Sequence, residues 1–186
     1  NIWYTEKTYP NTSIGNVAGT LRIKENVDFD VLKRAINKFV ELNDGMRLHI
    51  VEKEGVPYQY VKEYSEFDVE LVDFSNRPIE ELYKFEEELT RGTFDLLDAP
   101  LFYFVMVKVS DNDGGFYIRT HHLISDAWNM TILGNSVVEN YIKLLNKETE
   151  FEERPSYLEY LSEEEKYINS DKYEKDRKCW HDKYST

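Results

Sequence analysis

The chain has 186 residues, 41% of them hydrophobic, and carries 23 basic against 36 acidic side chains for a net charge of −13. That length supports one sizeable core, and an acidic surface with no cluster of Lys and Arg among aromatics excludes general binding to phosphate backbones, which needs concentrated positive charge. The longest apolar stretch, Pro100 to Val107, is far short of a bilayer span, no leader pattern opens the chain, and Cys179 is the single cysteine, so the expectation is a cytoplasmic protein with no membrane or nucleic-acid partner.

The chain opens on the aromatic residues Trp3 and Tyr4 without an initiator Met, so the expectation is a piece cut from something longer, although a processed or expressed fragment would look the same. Residues 16–24 then place Val17, Gly19, Leu21 and Ile23 at alternate positions, the period of a half-buried strand. A helix follows: Asp28 suits its N-cap, Val31, Leu32, Ala35, Ile36, Phe39 and Val40 recur at helical spacing, and Asn43-Asp44-Gly45 stops it. Residues 46–62 read as a hairpin around Lys53-Glu54-Gly55. A strand near 69–73 precedes a second helix over about 78–91, opened by Ser75-Asn76 and Pro78 and closed by Gly92.

The most strand-like pair is LFYFVMVKV and FYIRTHH, joined through a turn from Asp111 to Gly115 into an antiparallel hairpin. Ile132, Leu133, Val137, Val138, Tyr141, Ile142 and Leu145 define an amphipathic helix ending near Asn146. The expected organisation is a lobe over 1–146, a polar connector over 147–155 and a charged helical segment over 156–186. Hairpins mixed with helices predict an α+β fold, not a doubly wound parallel sheet.

Of the four histidines, His49, His121, His122 and His181, two are adjacent at the end of a predicted strand, and Asp126 opens the helix that follows. Neighbours in a strand point to opposite faces, so only one of the pair is available for chemistry. Continued alternation groups His122 with Phe116, Ile118 and Thr120, and His121 with Tyr117 and Arg119. Diverging rings and the lack of a second His at i+4 argue against a metal site. Ser125 as a nucleophile with His122 as its base lacks the Gly-x-Ser-x-Gly turn. Cys179 with His181 lies in a charged helical tail with no orienting partner. The residues leave two readings of His122. It is either a core or cap histidine satisfied by a hydrogen bond, or a neutral imidazole that takes a proton from an attacking nucleophile, a role that the unperturbed imidazole pKa of ~6.5 suits. Asp126 suits a helix N-cap.

The segment THHLISDAW (120–128) resembles the His-His-x-x-x-Asp-Gly signature of nonribosomal peptide synthetase condensation domains, within the chloramphenicol-acetyltransferase-like superfamily. The resemblance extends over nearly the whole chain. IWYTEKTYPNTSIGN (2–16) is similar to the family's opening segment, and LNDGMRLHI (42–50) to the end of its Arg-His-Glu-x-Leu-Arg motif. FDLLDAPLFYFVMV (94–107) is similar to its Phe-Asp-Leu…Pro-Leu strand, and YLEYLSEEEKY (157–167) to its aromatic-rich motif after the central helix. Ala127 stands where the signature has Gly, and Asn43 and Asp44 where the earlier motif has His and Glu.

The resemblance implies a two-layer α+β sandwich of the chloramphenicol-acetyltransferase-like type, here the N-terminal lobe of a two-lobed domain. It also implies a transfer reaction, in which the amine of a downstream carrier-bound amino acid attacks an upstream carrier-bound thioester to give an amide. Carried over by position, His122 is the base, or the group that positions and electrostatically assists the amine. His121 is the accompanying histidine of the signature, Asp126 a structural acid and Arg47 its salt-bridge partner. No cofactor is bound directly; the substrates ride on the phosphopantetheine arms of upstream and downstream peptidyl carrier proteins. A C-terminal lobe and a neighbouring adenylation domain are the further partners. Epimerising or cyclising relatives, free-standing acyltransferases and a non-catalytic carrier-docking module are the alternatives on the same fold.

Overall fold

The computed structural model describes residues 2–185, which divide into two compact units between Glu152 and Glu153. The first unit contains, in order, α1 (Ile2–Thr8), β1 (Asn16–Ile23), α2 (Phe29–Leu42), β2 (Leu48–Lys53), β3 (Val56–Val61), β4 (Glu70–Asp73), α3 (Ile79–Arg91), β5 (Phe102–Ser110), β6 (Asp113–His121) and α4 (Ala127–Leu145). Strands β2 and β3 form a hairpin of their own, turning through Glu54 and Gly55, both at positive φ, as a tight two-residue hairpin requires. The other four strands form one sheet in the order β1-β6-β5-β4, antiparallel except for the parallel pair β4 and β5.

Both faces of this sheet are covered. Phe104 and Met106 of β5, with Phe116 and Ile118 of β6, pack against Leu32, Ile36 and Phe39 of α2 and Leu133 and Val137 of α4. The alternate residues Val105 and Val107 pack against Leu82, Phe85 and Leu89 of α3. To the two layers expected, α3 therefore adds a third. The run FYFVMV has the near-continuous apolar character of a strand buried on both faces. Asp28 caps α2 by accepting from the N–H groups of Asp30 and Val31 at 3.1 Å, and a short 3-10 turn, Asp44–Arg47, follows the helix.

The turn between β5 and β6 is shorter than its Asp-, Asn- and Gly-rich sequence indicates. Strand β6 begins at Asp113, and Gly115 pairs with both Arg22 and Val107 inside the sheet. Its glycine answers to a close approach and not to a turn: a methyl group there would overlap the carbonyl oxygen of Leu21. Because that oxygen belongs to the paired backbone of β1, Gly115→Ala is expected to cost about 3 kcal/mol, read as a fall in the urea midpoint at constant slope.

The second unit consists of α5 (Tyr157–Ile168) and α6 (Asp171–Tyr184), capped by Ser156 and Ser170. The expected helical segment is thus two helices, broken at Asn169-Ser170, and neither buries a residue. Among the described residues, no helix is long and apolar enough to cross a membrane.

Candidate functional site

Strand β6 stops at His121, and the chain turns over 122–126 before α4 begins. The backbone here is fixed on three sides. His121 N–H donates to Leu101 O at 2.8 Å, His122 N–H to Gly15 O at 2.7 Å, and Ile124 N–H to His121 O at 3.0 Å. His122 is therefore held by its main chain while its side chain is exposed and makes no hydrogen bond among the described residues. This corrects the grouping of His122 with Phe116, Ile118 and Thr120. The strand ends one residue too early for alternation to place it, and the turn carries it out of the sheet. Tyr117, Arg119 and His121 do share a face, toward α3 and α1: Tyr117 Oη lies 3.0 Å from Thr90 Oγ1, and Arg119 donates to Leu89 O.

His121 is the buried member of the pair, 2% exposed. Its Nδ1 accepts from Leu123 N–H at 3.1 Å, so the ring proton sits on Nε2, which faces Glu6 Oε1 of α1 at 3.2 Å. The N–H is not aimed squarely at that oxygen, and Glu6 Oε1 is left buried without a directed donor. Gly15 lies directly over this pair: a methyl group on it would overlap both His121 Nε2 and Glu6 Oε1. Phe94 closes the ring edge-on at 6.0 Å.

Burial holds the His121 pKa below its ordinary value of 6.5, outweighing the opposite pull of the Glu6 carboxylate. Above 6.5 the ring is neutral in both folded and unfolded chains; below it the unfolded chain takes up a proton that the folded one refuses. Stability is thus expected to fall as pH drops below 6.5, by at most about 1.4 kcal/mol per pH unit for one proton. Urea unfolding between neutral and mildly acidic pH measures the slope, which His121→Asn is expected to flatten.

Asp126 caps α4, accepting from Asn129 N–H at 2.8 Å. The expected Asp126–Arg47 ion pair is not formed. The Arg47 guanidinium, just past the end of α2, donates to three carbonyls instead: Val40 at 3.2 Å, Glu41 at 3.3 Å and Lys62 at 2.7 Å. Two of these are C-terminal carbonyls of α2, where a cation satisfies both unpaired acceptors and the helix dipole. Ala127 is the first residue of α4 and does not have positive φ, so its methyl group replaces the signature glycine without backbone strain. The Ser125 hydroxyl donates to Asp126 O at 3.4 Å, not to an imidazole.

Two residues of this arrangement, Glu6 and Gly15, do not stand out in the sequence. Their only signal lies in the opening segment, whose relation to His121 is a tertiary contact that no local periodicity carries.

A family model described as the condensation domain matches residues 1–186. Surfactin synthase subunit 1 of Bacillus subtilis (strain 168) is 35% identical over 191 residues, covering 100% of this chain and 5% of the synthase. A plipastatin synthase protein of the same strain is 30% identical over 181 residues, covering 96% of this chain and 7% of that protein. Among solved structures, the starter condensation domain of rhizomide synthetase RzmA superposes with a TM-score of 0.89 at 21% identity, over 97% of this chain and 45% of that one. The condensation enzyme VibH gives 0.79 at 25% identity, over 96% and 42%. The chain thus spans a small fraction of the length of these synthases and less than half of either solved chain.

Proposed function

The chain belongs to the condensation-domain family, and from that premise we propose that it supplies the histidine-bearing lobe of a site that joins two carrier-bound substrates through an amide bond. The observation that carries this reading is His122: a side chain open to solvent on a backbone pinned by its own N–H and by both hydrogen bonds of His121. An imidazole so placed is ready to meet groups delivered from outside this lobe.

In the proposed reaction, the amine of the downstream carrier's amino acid attacks the carbonyl carbon of the upstream thioester. The C–N bond forms, the C–S bond breaks, and the proton shed by the nitrogen passes by way of His122 Nε2 or Nδ1 to the departing sulfur. Positioned proton transfer of this kind contributes roughly 10²–10⁴-fold. His121 and Asp126 act through the loop: one anchors its first residue in the core, the other fixes the start of α4. The substrates arrive as thioesters on the phosphopantetheine arms of peptidyl carrier proteins, no cofactor is bound directly, and a second lobe closes the site over His122. The setting is the cytoplasm, within a synthetase chain of the kind that makes peptide antibiotics. The regular backbone at Ala127 removes one ground for reading the chain as a docking module without chemistry.

Reconstitution of the synthetase that contains this chain, with both carriers loaded, tests the proposal. An amide product detected by mass on the downstream carrier is expected; carrier binding with no amide would contradict it and favour docking alone.

A further inference from the structure

A cavity of about 280 Å3 opens between the end of α2, the β2–β3 hairpin, the irregular segment 62–68 and the start of β5. It shares no residue with the loop that carries His122, so what it binds does not depend on the amide-forming reading. Its walls are mainly aromatic: Phe67 and Phe102 lie 5.3 Å apart, centroid to centroid, with Phe104 beside them and Tyr64 and Tyr103 completing the lining. One wall is His49, only 4% exposed.

Only one nitrogen of this imidazole has a partner within the protein, and the other is left to solvent or to an occupant. Nδ1 lies 3.3 Å from Asp98 Oδ1. Asp98 is itself fixed: the Tyr60 hydroxyl donates to its carboxylate, its backbone N–H donates to Ile50 O at 2.8 Å, and its φ is +52°, an uncommon conformation for a side-chain-bearing residue. Tyr60 keeps the Asp98 carboxyl below the usual carboxylate range, so it is the acceptor and Nδ1 the donor. The tautomer is then fixed. Nε2 carries the lone pair and makes no hydrogen bond among the described residues; it is not sealed from solvent, so it is open to an occupant. The β2–β3 hairpin and the 94–100 loop bring together the residues that fix His49 in this way.

The chemistry of an occupant follows. It must donate one hydrogen bond to Nε2 and present a flat apolar body to the phenyl rings. It must also be neutral, because the charged lining cancels: Arg47 and Lys62 stand against Glu63 and Asp68, with Arg47 spent on carbonyls and Asp68 paired with Lys33. A carboxylate would bring a second negative charge toward the His49–Asp98 pair, and an ammonium would lose its hydration against phenyl rings. The volume lies near the lower end of the range for small-molecule sites. We propose that the cavity binds a neutral aryl alcohol, its ring against Phe67, Phe102 and Phe104 and its hydroxyl donating to His49 Nε2.

Phenol and toluene, equal in shape and differing in the donor, are the probes. Each is titrated into the 186-residue chain while the histidine ring resonances are followed by NMR. Saturable phenol binding that moves the His49 signal is expected, with toluene about tenfold weaker for want of one hydrogen bond. His49→Phe is expected to bring phenol down to the level of toluene. Because that variant changes a buried residue, the comparison of the two probes on the unaltered chain decides the matter. No saturable phenol binding, equal affinity for the two probes, or a shift confined to His121 or His122 would each overturn the proposal.

Discussion

His122→Ala, made in the synthetase that contains this chain, is expected to lower amide formation by roughly 10²–10⁴-fold while changing the unfolding free energy by less than about 0.5 kcal/mol. The two halves of that expectation have different origins. The side chain is exposed and makes no hydrogen bond among the described residues, so its removal leaves no cavity and no unpaired group. The backbone hydrogen bond from residue 122 to Gly15 O, which fixes the loop, survives the substitution. What is lost is an imidazole at the point where, on the proposed reading, the amine sheds its proton. Urea unfolding and amide release, measured on the same preparations, separate the two halves.

Gly15→Ala is expected to act in the opposite way, lowering stability and turnover together. The added methyl group would overlap His121 Nε2 and Glu6 Oε1, two groups that are themselves buried. Neither has an easy escape. The His121 ring is tied through Nδ1 to Leu123 N–H, and Glu6 lies on α1 beside Trp3, which packs into a core with Ile50 and Leu101. Overpacking of this kind costs about 1–3 kcal/mol. The same strain moves Gly15 O, the acceptor for His122 N–H, and so displaces the imidazole proposed to carry the proton. The expected signature is a lower urea midpoint together with an amide rate reduced about tenfold or more, since a misplacement of about 1 Å near the reacting groups costs up to 10²-fold. Stability unchanged in Gly15→Ala would show that the Glu6–His121 pair is not packed as described.

The elements set by local chemistry were the legible ones. Asp28 and its amphipathic helix, the Glu54-Gly55 hairpin and the paired runs before His121 are each specified within a dozen residues, by a cap, a turn or a period. Features made by distant segments meeting were not legible. Helix α1 carries no long amphipathic pattern, so the Glu6–His121 contact and the role of Gly15 had no local trace. Arg47 suited an ion pair by residue type, but three carbonyls nearer to it in space satisfied it first. The third layer was available in principle, since FYFVMV is apolar on both faces and calls for cover on both. Gly114-Gly115 misled because the same residue type serves a tight turn and a close strand contact. The proposed role of His122 rests on its exposure beyond the end of β6 and not on strand alternation, which if continued would have pointed it into the α2–α4 core.

The most direct test of the account is single-turnover amide formation by the synthetase carrying His122→Ala, with both carriers preloaded so that loading and chain initiation do not contribute. The account predicts a rate at least about 100-fold below that of the unaltered synthetase, at equal folded protein and equal carrier occupancy. A rate within about twofold of the unaltered synthetase would contradict it, because the imidazole would then contribute less than about 0.5 kcal/mol to the barrier.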